Sequence, residues 1–404
     1  MTVPIYGGNT PSIDAFGRLR TSGTGQRLDV EFIYDKQNDL FDEVTNNGTV
    51  THNTNTRDLT LSISDANDGT YAKMASYPVP YTPGNSQLID MTGVLDLAGI
   101  GGGSAEVFLR TKISGSVVEE TIDESDWAST TGTIDWTKSH IFSIDFQSLK
   151  VGRIRFSLIR NGLTYQVAEI TKDNSIDSGY WQLPNLPVYY KLYNDATNTY
   201  MELGYGDDAN GVGFRYKIAA NASATMKAIC CTAKSEGGEN LRNLPGLARS
   251  VDTVVTTQTV STTLVPIISI RPKATFQSLP NLGLAIPKSF SLQTTEAIRV
   301  VLMHDVTLTD PVWADVDTDQ SMMEYDVSAT ALSNGHINFS DYVYATSSGP
   351  AASQQTTAEK GLLGKTVLWD RQHDTITGIY TLAAVRTGGV DASVLAGLLW
   401  EEIR

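Results

Sequence analysis

The sequence predicts an all-β protein with two antiparallel β-sandwich domains, of jelly-roll or lectin-like type, behind an extended N-terminal arm. Three observations predict this fold. Apolar and polar residues alternate through many short segments, which is the period of a strand with one buried face. The chain has 404 residues, more than one hydrophobic core usually serves. No helical period or fixed-length repeat runs through these segments, which argues against a β-helix or a propeller.

Residues 1–35 form the predicted N-terminal arm, because proline and glycine interrupt this stretch and no strand or helix period runs through it. An ordered arm must bury its aromatic rings to offset the entropy of fixing it. We predict that it docks on a neighbouring copy or on another protein, and the alternative is packing on its own first sandwich. The candidate docking residues are Phe16, Gly17, Arg18, Arg20, Phe32 and Tyr34. The segment YDKQNDLFDEV at the end of the arm predicts a short helix.

Residues 36–236 form the predicted first sandwich. Segments such as LTLSISD, AEVFLRTKI and HIFSIDFQSL alternate between apolar and polar residues, as antiparallel strands with one buried face do. GRIRFSLIR and LTYQVAEIT flank Asn161-Gly162, a dipeptide that favours a type I′ turn with two residues at positive φ. The sequence therefore predicts a β-hairpin with its turn at these two residues.

Residues 237–250 form the predicted linker, since they are polar, broken by glycine and proline, and without either period. Residues 251–404 then resume the strand pattern and predict a second sandwich. The last segment, SVLAGLLWEEIR, carries Leu395, Leu398 and Leu399 at helical spacing. Its all-β surroundings favour a strand instead.

Charge and cysteine content limit the classes of partner. A formal net charge of -15 argues against nucleic acid as a ligand, because phosphate binding needs a basic field. The cysteines, Cys230 and Cys231, are adjacent, which excludes a disulfide framework. Neither a signal peptide nor an apolar run of membrane-spanning length occurs. We therefore expect a protein made in a cytoplasm, with no membrane partner.

Aromatic residues of the first sandwich suggest a binding surface. Rings exposed in the loops or at the strand edges of a β-sandwich can stack on the faces of sugars. The alternative is that most of these rings belong to the core. The candidate glycan-contacting residues are Trp127, Trp136, Tyr180 and Trp181.

No motif predicts catalysis, a metal or a cofactor. The glycines of Ala98–Glu106 precede a strand rather than a helix, so a mobile loop is expected in place of a phosphate site. Acidic stretches at 65–70, 206–211 and 310–319 favour turns over calcium sites. The histidines lack metal-ligand spacing, and neither TIDESDW nor any nucleophile motif identifies an active site.

Several segments together resemble a family of virion structural proteins of tailed bacteriophages. They include DAFGRLRTS at 14–22, LPNLPVYYKL, MKAICCTAKSEGG, EYDVSATAL and the terminal LLWEEIR, and they span nearly the whole chain. The resemblance implies a virion structural protein without fixing its position in the particle, and we predict a non-enzymatic tail or baseplate subunit of fibre or adaptor type. We also expect assembly into the virion in the host cytoplasm with other virion proteins as partners, and contact of the lectin-like first sandwich with a host-surface glycan.

Two alternatives to this role stay open, a head decoration or head-fibre protein and a tail-borne glycan depolymerase. We expect a homo-oligomer, with a trimer favoured, because the edge strands of a sandwich need protection or partners.

Overall fold

The computed structural model describes residues 25–38, 40–64, 66–81, 84–95, 103–113, 116–147, 149–181, 185–218, 221–236, 247–253, 258–281, 283–344, 352–354 and 378–403. The chain separates into two compact units, Met1–Arg242 and Asn243–Arg404. The division lies within the predicted linker. Nearly every described element is a strand, and all pairings between these strands are antiparallel, so the predicted all-β fold class is confirmed.

The described part of the first unit contains fifteen strands and one helix. In chain order they are β1 (Gly25–Glu31), β2 (Phe41–Asn46), β3 (Gly48–Asn53), β4 (Asp58–Ile63), β5 (Tyr71–Ser76), β6 (Gln87–Val94), β7 (Gly103–Ile113), β8 (Ser116–Asp123), α1 (Glu124–Thr131), β9 (Ser139–Phe146), β10 (Ile154–Arg160), β11 (Leu163–Ile170), β12 (Val188–Asn194), β13 (Thr199–Gly206), β14 (Gly211–Ile218) and β15 (Ala224–Ser235).

These strands form two sheets that share one hydrophobic core. The eight-stranded sheet has the order β11-β10-β9-β6-β15-β4-β3, and β1 also pairs with β15. The seven-stranded sheet has the order β2-β5-β12-β13-β14-β7-β8. Buried residues of both sheets, such as Ile89 and Met91 on one and Leu192 and Met201 on the other, belong to the same cluster. The first unit is therefore a β-sandwich, as the alternating segments predict.

The start of the described chain belongs to this sandwich. Strand β1 pairs with β15 from Gly25↔Ser235 to Glu31↔Cys230, and its residues Leu28 and Val30 are buried in the core. The predicted arm therefore does not extend to residue 35, because 25–31 pair with β15 with one irregularity between Gln26 and Leu28. The helix predicted over YDKQNDLFDEV is also wrong, since its second half is the start of β2.

The predicted hairpin is confirmed at Asn161-Gly162. β10 and β11 pair from Arg160↔Leu163 to Ile154↔Ile170, and the two turn residues have φ of 53° and 75°. A Cβ at Gly162 would meet no atom within 4 Å, so only the backbone conformation restricts this position.

Gly162→Val should therefore destabilise the first unit by about 1–2 kcal/mol, the cost of a left-handed L-residue. Urea unfolding of the full chain measures this loss. Asn161→Asp is the control, because aspartate tolerates this conformation. Equal effects of the two substitutions would contradict the assignment of the turn.

Fifteen strands occur among the described residues of the second unit. In chain order they are β16 (Leu247–Asp252), β17 (Gln258–Val260), β18 (Val265–Pro272), β19 (Thr275–Phe276), β20 (Leu279–Pro280), β21 (Leu284–Thr294), β22 (Ile298–His304), β23 (Thr307–Thr309), β24 (Ala314–Asp315), β25 (Met323–Asp326), β26 (Ala331–Ser333), β27 (His336–Val343), β28 (Ala352–Gln354), β29 (Tyr380–Arg386) and β30 (Ala392–Ile403).

A five-stranded sheet, β16-β30-β21-β28 with β17 also on β30, packs on a six-stranded sheet, β24-β25-β18-β29-β22-β27. Residues from both sheets, including Phe290, Val300 and Leu398, form the core of this second sandwich. The strand expected for SVLAGLLWEEIR is confirmed as β30. The predicted linker is too long at its C-terminal end, because 247–250 already pair with β30.

Candidate functional site

The four aromatic residues predicted to contact a glycan are core residues of the first unit. Trp127, Trp136, Tyr180 and Trp181 all belong to the buried cluster that both sheets share. No face of these rings is open for stacking on a sugar, so the prediction is wrong for the folded unit and the alternative of core rings holds. The physical reason is size: large rings fill space in the core that smaller side chains would leave as cavities.

Hydrogen bonds and ring contacts hold these residues in place. Trp181 Nε1 donates to the main-chain oxygen of Arg110 at 3.4 Å, and its ring meets Phe146 edge-on at 5.5 Å. Trp136 Nε1 donates to the carboxylate of Glu124 in α1 at 3.2 Å. Tryptophan is buried most cheaply when its N–H finds an acceptor in this way.

The candidate docking residues divide at the start of the described chain. Phe16, Gly17, Arg18 and Arg20 lie outside the described residues, so their docking role stays a prediction. Phe32 is fully buried in the first unit, where its ring meets Phe41 edge-on at 5.4 Å. Tyr34 is 79% exposed. For Phe32 the alternative of packing on its own sandwich therefore holds.

A row of charged residues crosses the seven-stranded sheet on the face away from the core. Successive strands place Lys73, Lys191, Glu202, Arg215 and Glu106 directly opposite one another. We call these five residues the charged row. Their sequence neighbours point the other way into the core, since side chains alternate along a strand. The row is the largest cluster of ion pairs in the described part of the first unit.

Two arginines bind three carboxylates in this row and beside it. Arg215 contacts Glu106 at 2.5 Å, Glu119 at 2.7 Å and Glu202 at 3.3 Å. Arg110 contacts Glu119 at 3.0 Å and Glu202 at 2.9 Å. Each guanidinium thus bridges carboxylates of different strands, which locks these side chains in one arrangement.

Glu202 is the centre of the network and is fully buried. Besides the two arginines, it accepts hydrogen bonds from the hydroxyls of Tyr189 at 3.2 Å and Tyr193 at 2.8 Å. Burial alone would raise the pKa of Glu202, but the charges of Arg110 and Arg215 outweigh it and hold the pKa below its ordinary value. This carboxylate is therefore ionised at neutral pH.

Aromatic rings lie on both sides of the charged row. Gly204 and Gly213 face each other on β13 and β14, and the ring of Phe108 lies over Gly213, where an added Cβ would be 2.9 Å from it. On the other side of the row the rings of Tyr193 and Tyr200 are stacked with centroids 4.9 Å apart. Aromatic rings therefore flank the ion pairs on both sides and shield them from water.

Lys73 lies at one end of the charged row and is buried. Its ammonium group is 3.2 Å from Asp208, which also binds Lys191 at 2.9 Å. Burial lowers the pKa of Lys73, and the attraction of Asp208 offsets this only in part. The buried ammonium group of Lys73 therefore lowers the free energy of unfolding. If Lys73 were replaced, the exposed Asp208 would still be paired with Lys191.

Lys73→Met should consequently raise the free energy of unfolding of the first unit by about 1 kcal/mol at neutral pH. Because the pKa of Lys73 is lower in the folded than in the unfolded chain, the penalty vanishes as pH rises toward about 10.4. Unfolding in urea at pH 7 and near pH 10 measures both effects. Lys191→Met is the control with less burial, and a loss of stability in Lys73→Met would contradict the interpretation.

The acidic loops form turns, as the sequence predicts for 206–211. Asp207 Oδ1 accepts hydrogen bonds from the main-chain N–H groups of Ala209 at 2.7 Å and Asn210 at 2.6 Å. Asp317 does the same for Asp319 and Gln320, and these hydrogen bonds lower its pKa. Across the described ranges, no three side chains of His, Cys, Asp or Glu lie together as a metal site would need.

The described part of the chain contains no helix long and apolar enough to cross a membrane. Its one helix, α1, has eight residues.

Comparison with known proteins shows distant similarity of fold. No protein-family model and no curated protein matches the sequence. An endo-1,3-β-glucanase from Streptomyces sioyaensis is similar with a TM-score of 0.33 and 10% identity, covering 54% of this chain and 98% of its own. A protein of unknown function from Shewanella oneidensis MR-1 has a TM-score of 0.30 and 8% identity, covering 58% and 97%.

Lectin UEA-II in complex with galactose has a TM-score of 0.22 and 11% identity, covering 52% of this chain and all of its own. These TM-scores are below 0.5, so neither the ligands nor the activities of these proteins carry over to this chain.

Proposed function

We propose that the chain is a non-enzymatic structural subunit of a tailed-phage particle, at the tail or baseplate. In this role it docks through residues 1–24, assembles in the host cytoplasm as a homotrimer, and contacts a glycan of the host surface. The resemblance of the segments quoted above supports the virion assignment. The tandem of two β-sandwiches suits a subunit that links a particle to an outside surface.

The charged row is the observation that supports a structural rather than a hydrolytic role. Glycoside cleavage by paired carboxyl groups needs one of them to donate a proton, and therefore a raised pKa. Here the three glutamates in and beside the row, Glu106, Glu119 and Glu202, are bound by Arg110 or Arg215, and the pKa of Glu202 is lowered. These ion pairs hold together the strands that carry them.

Deleting residues 1–24 tests the docking role sharply, because the cut removes the four outer docking candidates and leaves β1 whole. We expect the truncated chain to keep the melting temperature of the first unit and to be missing from purified particles. The control is full-length Val390→Ala, which changes an exposed side chain that is not among the docking candidates. Normal incorporation of the truncated chain would overturn the docking proposal.

Locating the chain in the particle tests its proposed position and copy number. We expect a cryo-EM reconstruction to place it at the tail or baseplate in three copies or a multiple of three. A position on the capsid lattice would favour the decoration protein instead. Release of new reducing ends from host polysaccharide by the purified chain would favour the depolymerase.

A further inference from the structure

The second unit has an open pocket of about 600 Å³ on its six-stranded sheet. One wall is formed by Arg271, near the end of β18, and by Lys273, which follows the strand. The β19–β20 hairpin forms the second wall, and the segment between β24 and β25 forms the third. This volume lies within the range of sites for small molecules, about 300–1,000 Å³.

The walls of the pocket are held to one another. Gln277 Nε2 in the hairpin donates to the main-chain oxygen of Asp319 at 2.7 Å, and Lys273 Nζ donates to that of Asp317 at 3.1 Å. Gln277 and Ser278 both have positive φ, 52° and 64°, which makes the hairpin turn tight. The pocket is therefore preformed, so binding would not have to order its walls.

Charged groups of both signs line the pocket. Arg271, Glu324 and Asp315 lie opposite one another on three adjacent strands, and Lys273 contacts Asp315 at 3.0 Å. Arg271 is bound by Glu324 and also stacks on the ring of Trp313, with its guanidinium carbon 4.1 Å from the ring centroid. These contacts fix the donor directions of the guanidinium group before any ligand arrives.

The lining selects one class of ligand. Asp315, Asp319 and Glu324 outnumber the two cations, so a phosphate or a polyanion would be repelled. An apolar ligand would remove water from these charged groups without offering them hydrogen bonds, which is costly. A hydroxyl group both donates and accepts, so a molecule with several hydroxyls can satisfy ammonium, guanidinium and carboxylate groups at once.

We propose that this pocket binds a neutral saccharide unit of a polysaccharide. The donors to its hydroxyls are Arg271 and Lys273, and the acceptors are Asp319 and Glu324. Because the pocket is open to solvent, further sugar units can extend out of it. The biological meaning of this inference rests on the proposed attachment role. In that role the pocket, and not the buried aromatic residues, would contact the glycan.

Saturation-transfer NMR on the full chain tests the proposal, with maltose, lactose and cellobiose as neutral probes and glucuronate and inorganic phosphate as anionic ones. We expect saturation transfer to at least one neutral disaccharide and to neither anion. Asp319→Asn should weaken that binding at least about tenfold, the loss of a hydrogen bond to a charged group. This variant is conservative, because the contact of Gln277 uses the main-chain oxygen of Asp319.

Lys273→Met is the second variant and should weaken binding similarly. Lys288→Met is its matched control, because Lys288 pairs with Glu401 on the other sheet of the same unit. Thermal unfolding checks that each variant is folded. Absence of binding to all three disaccharides, unchanged affinity in the folded Asp319→Asn chain, or preference for an anion would overturn the proposal.

The pocket and the attachment role can fail separately. A chain found at the tail that binds none of the saccharides keeps the attachment role and loses the pocket. A chain found on the capsid that binds one of them keeps the pocket and loses the tail role.

Discussion

Trp181→Ala is expected to lower the free energy of unfolding of the first unit by about 3–5 kcal/mol, the usual cost of truncating a buried tryptophan. Trp181 is 1% exposed and packs against Phe146, Tyr180 and Tyr205, so alanine leaves a cavity between the two sheets. The substitution also removes the hydrogen bond to the main-chain oxygen of Arg110. Differential scanning calorimetry of the full chain measures the loss as a lowered transition of one unit.

Tyr34→Ala is the control for this prediction, since an exposed ring is expected to change stability by no more than about 0.5 kcal/mol. The pair also separates the two interpretations of Trp181. If Trp181→Ala kept the stability of the original chain and lost saccharide binding instead, the ring would be a glycan contact after all.

Glu202→Gln is expected to cost the first unit about 3 kcal/mol, near the lower limit for breaking a buried ion pair. The glutamine leaves Arg110 and Arg215 without their shared buried partner, although both keep Glu119. The matched control is Glu119→Gln, which removes a carboxylate from the same two arginines. Its side chain is partly exposed, so we expect a loss below about 1 kcal/mol. Equal losses in the two variants would contradict the central role of Glu202.

Glu202→Gln should also change how the stability of the first unit depends on pH. The pKa of Glu202 is lower in the folded chain than in the unfolded chain. Its stabilising contribution is therefore complete above the unfolded value of about 4.3 and is lost as pH falls through the folded pKa. Urea titrations between neutral and acid pH should show a steep loss in the original chain. Glu202→Gln should show a shallower loss over the same range.

Much of the fold could be predicted because its signals are local. The alternation of apolar and polar residues identifies most strands of the first unit, and Asn161-Gly162 identifies one hairpin through the conformation of two residues. β30 needed one further argument, since its leucines have helical spacing. Its surroundings decide it: β30 pairs with strands on both sides along its length.

Neither β1 nor α1 was predicted from the sequence, and the reasons differ. β1 has the strand pattern in Leu28 and Val30, but its partner β15 lies about two hundred residues away, and no local signal shows that pairing. The helix α1 follows Asp123 at its N-cap position and has Glu124 and Asp126 in its first turn. This is a helix-start signal, which an acidic loop resembles closely in sequence alone.

The charged row could not be predicted, because it depends on strand order. Glu202 and Arg215 are close in sequence, but Glu106 reaches Arg215 only because β7 pairs with β14. The aromatic residues failed as glycan contacts for a related reason. The sequence shows that Trp181 lies between predicted strands. Only the folded unit shows that its ring is buried in the core that both sheets share.

The position of β15 and β30 in the sheets bears on folding during synthesis. Each is the last strand of its unit, and each pairs with three strands made earlier, β1, β4 and β6 in one case and β16, β17 and β21 in the other. A nascent chain that has not reached Ala224 therefore leaves one unpaired edge on β4 and on β6, and leaves β1 without a strand partner. Such edges pair readily with other chains. Slow translation before Ala224 or Ala392 should accordingly lower the yield of native protein without changing its melting temperature.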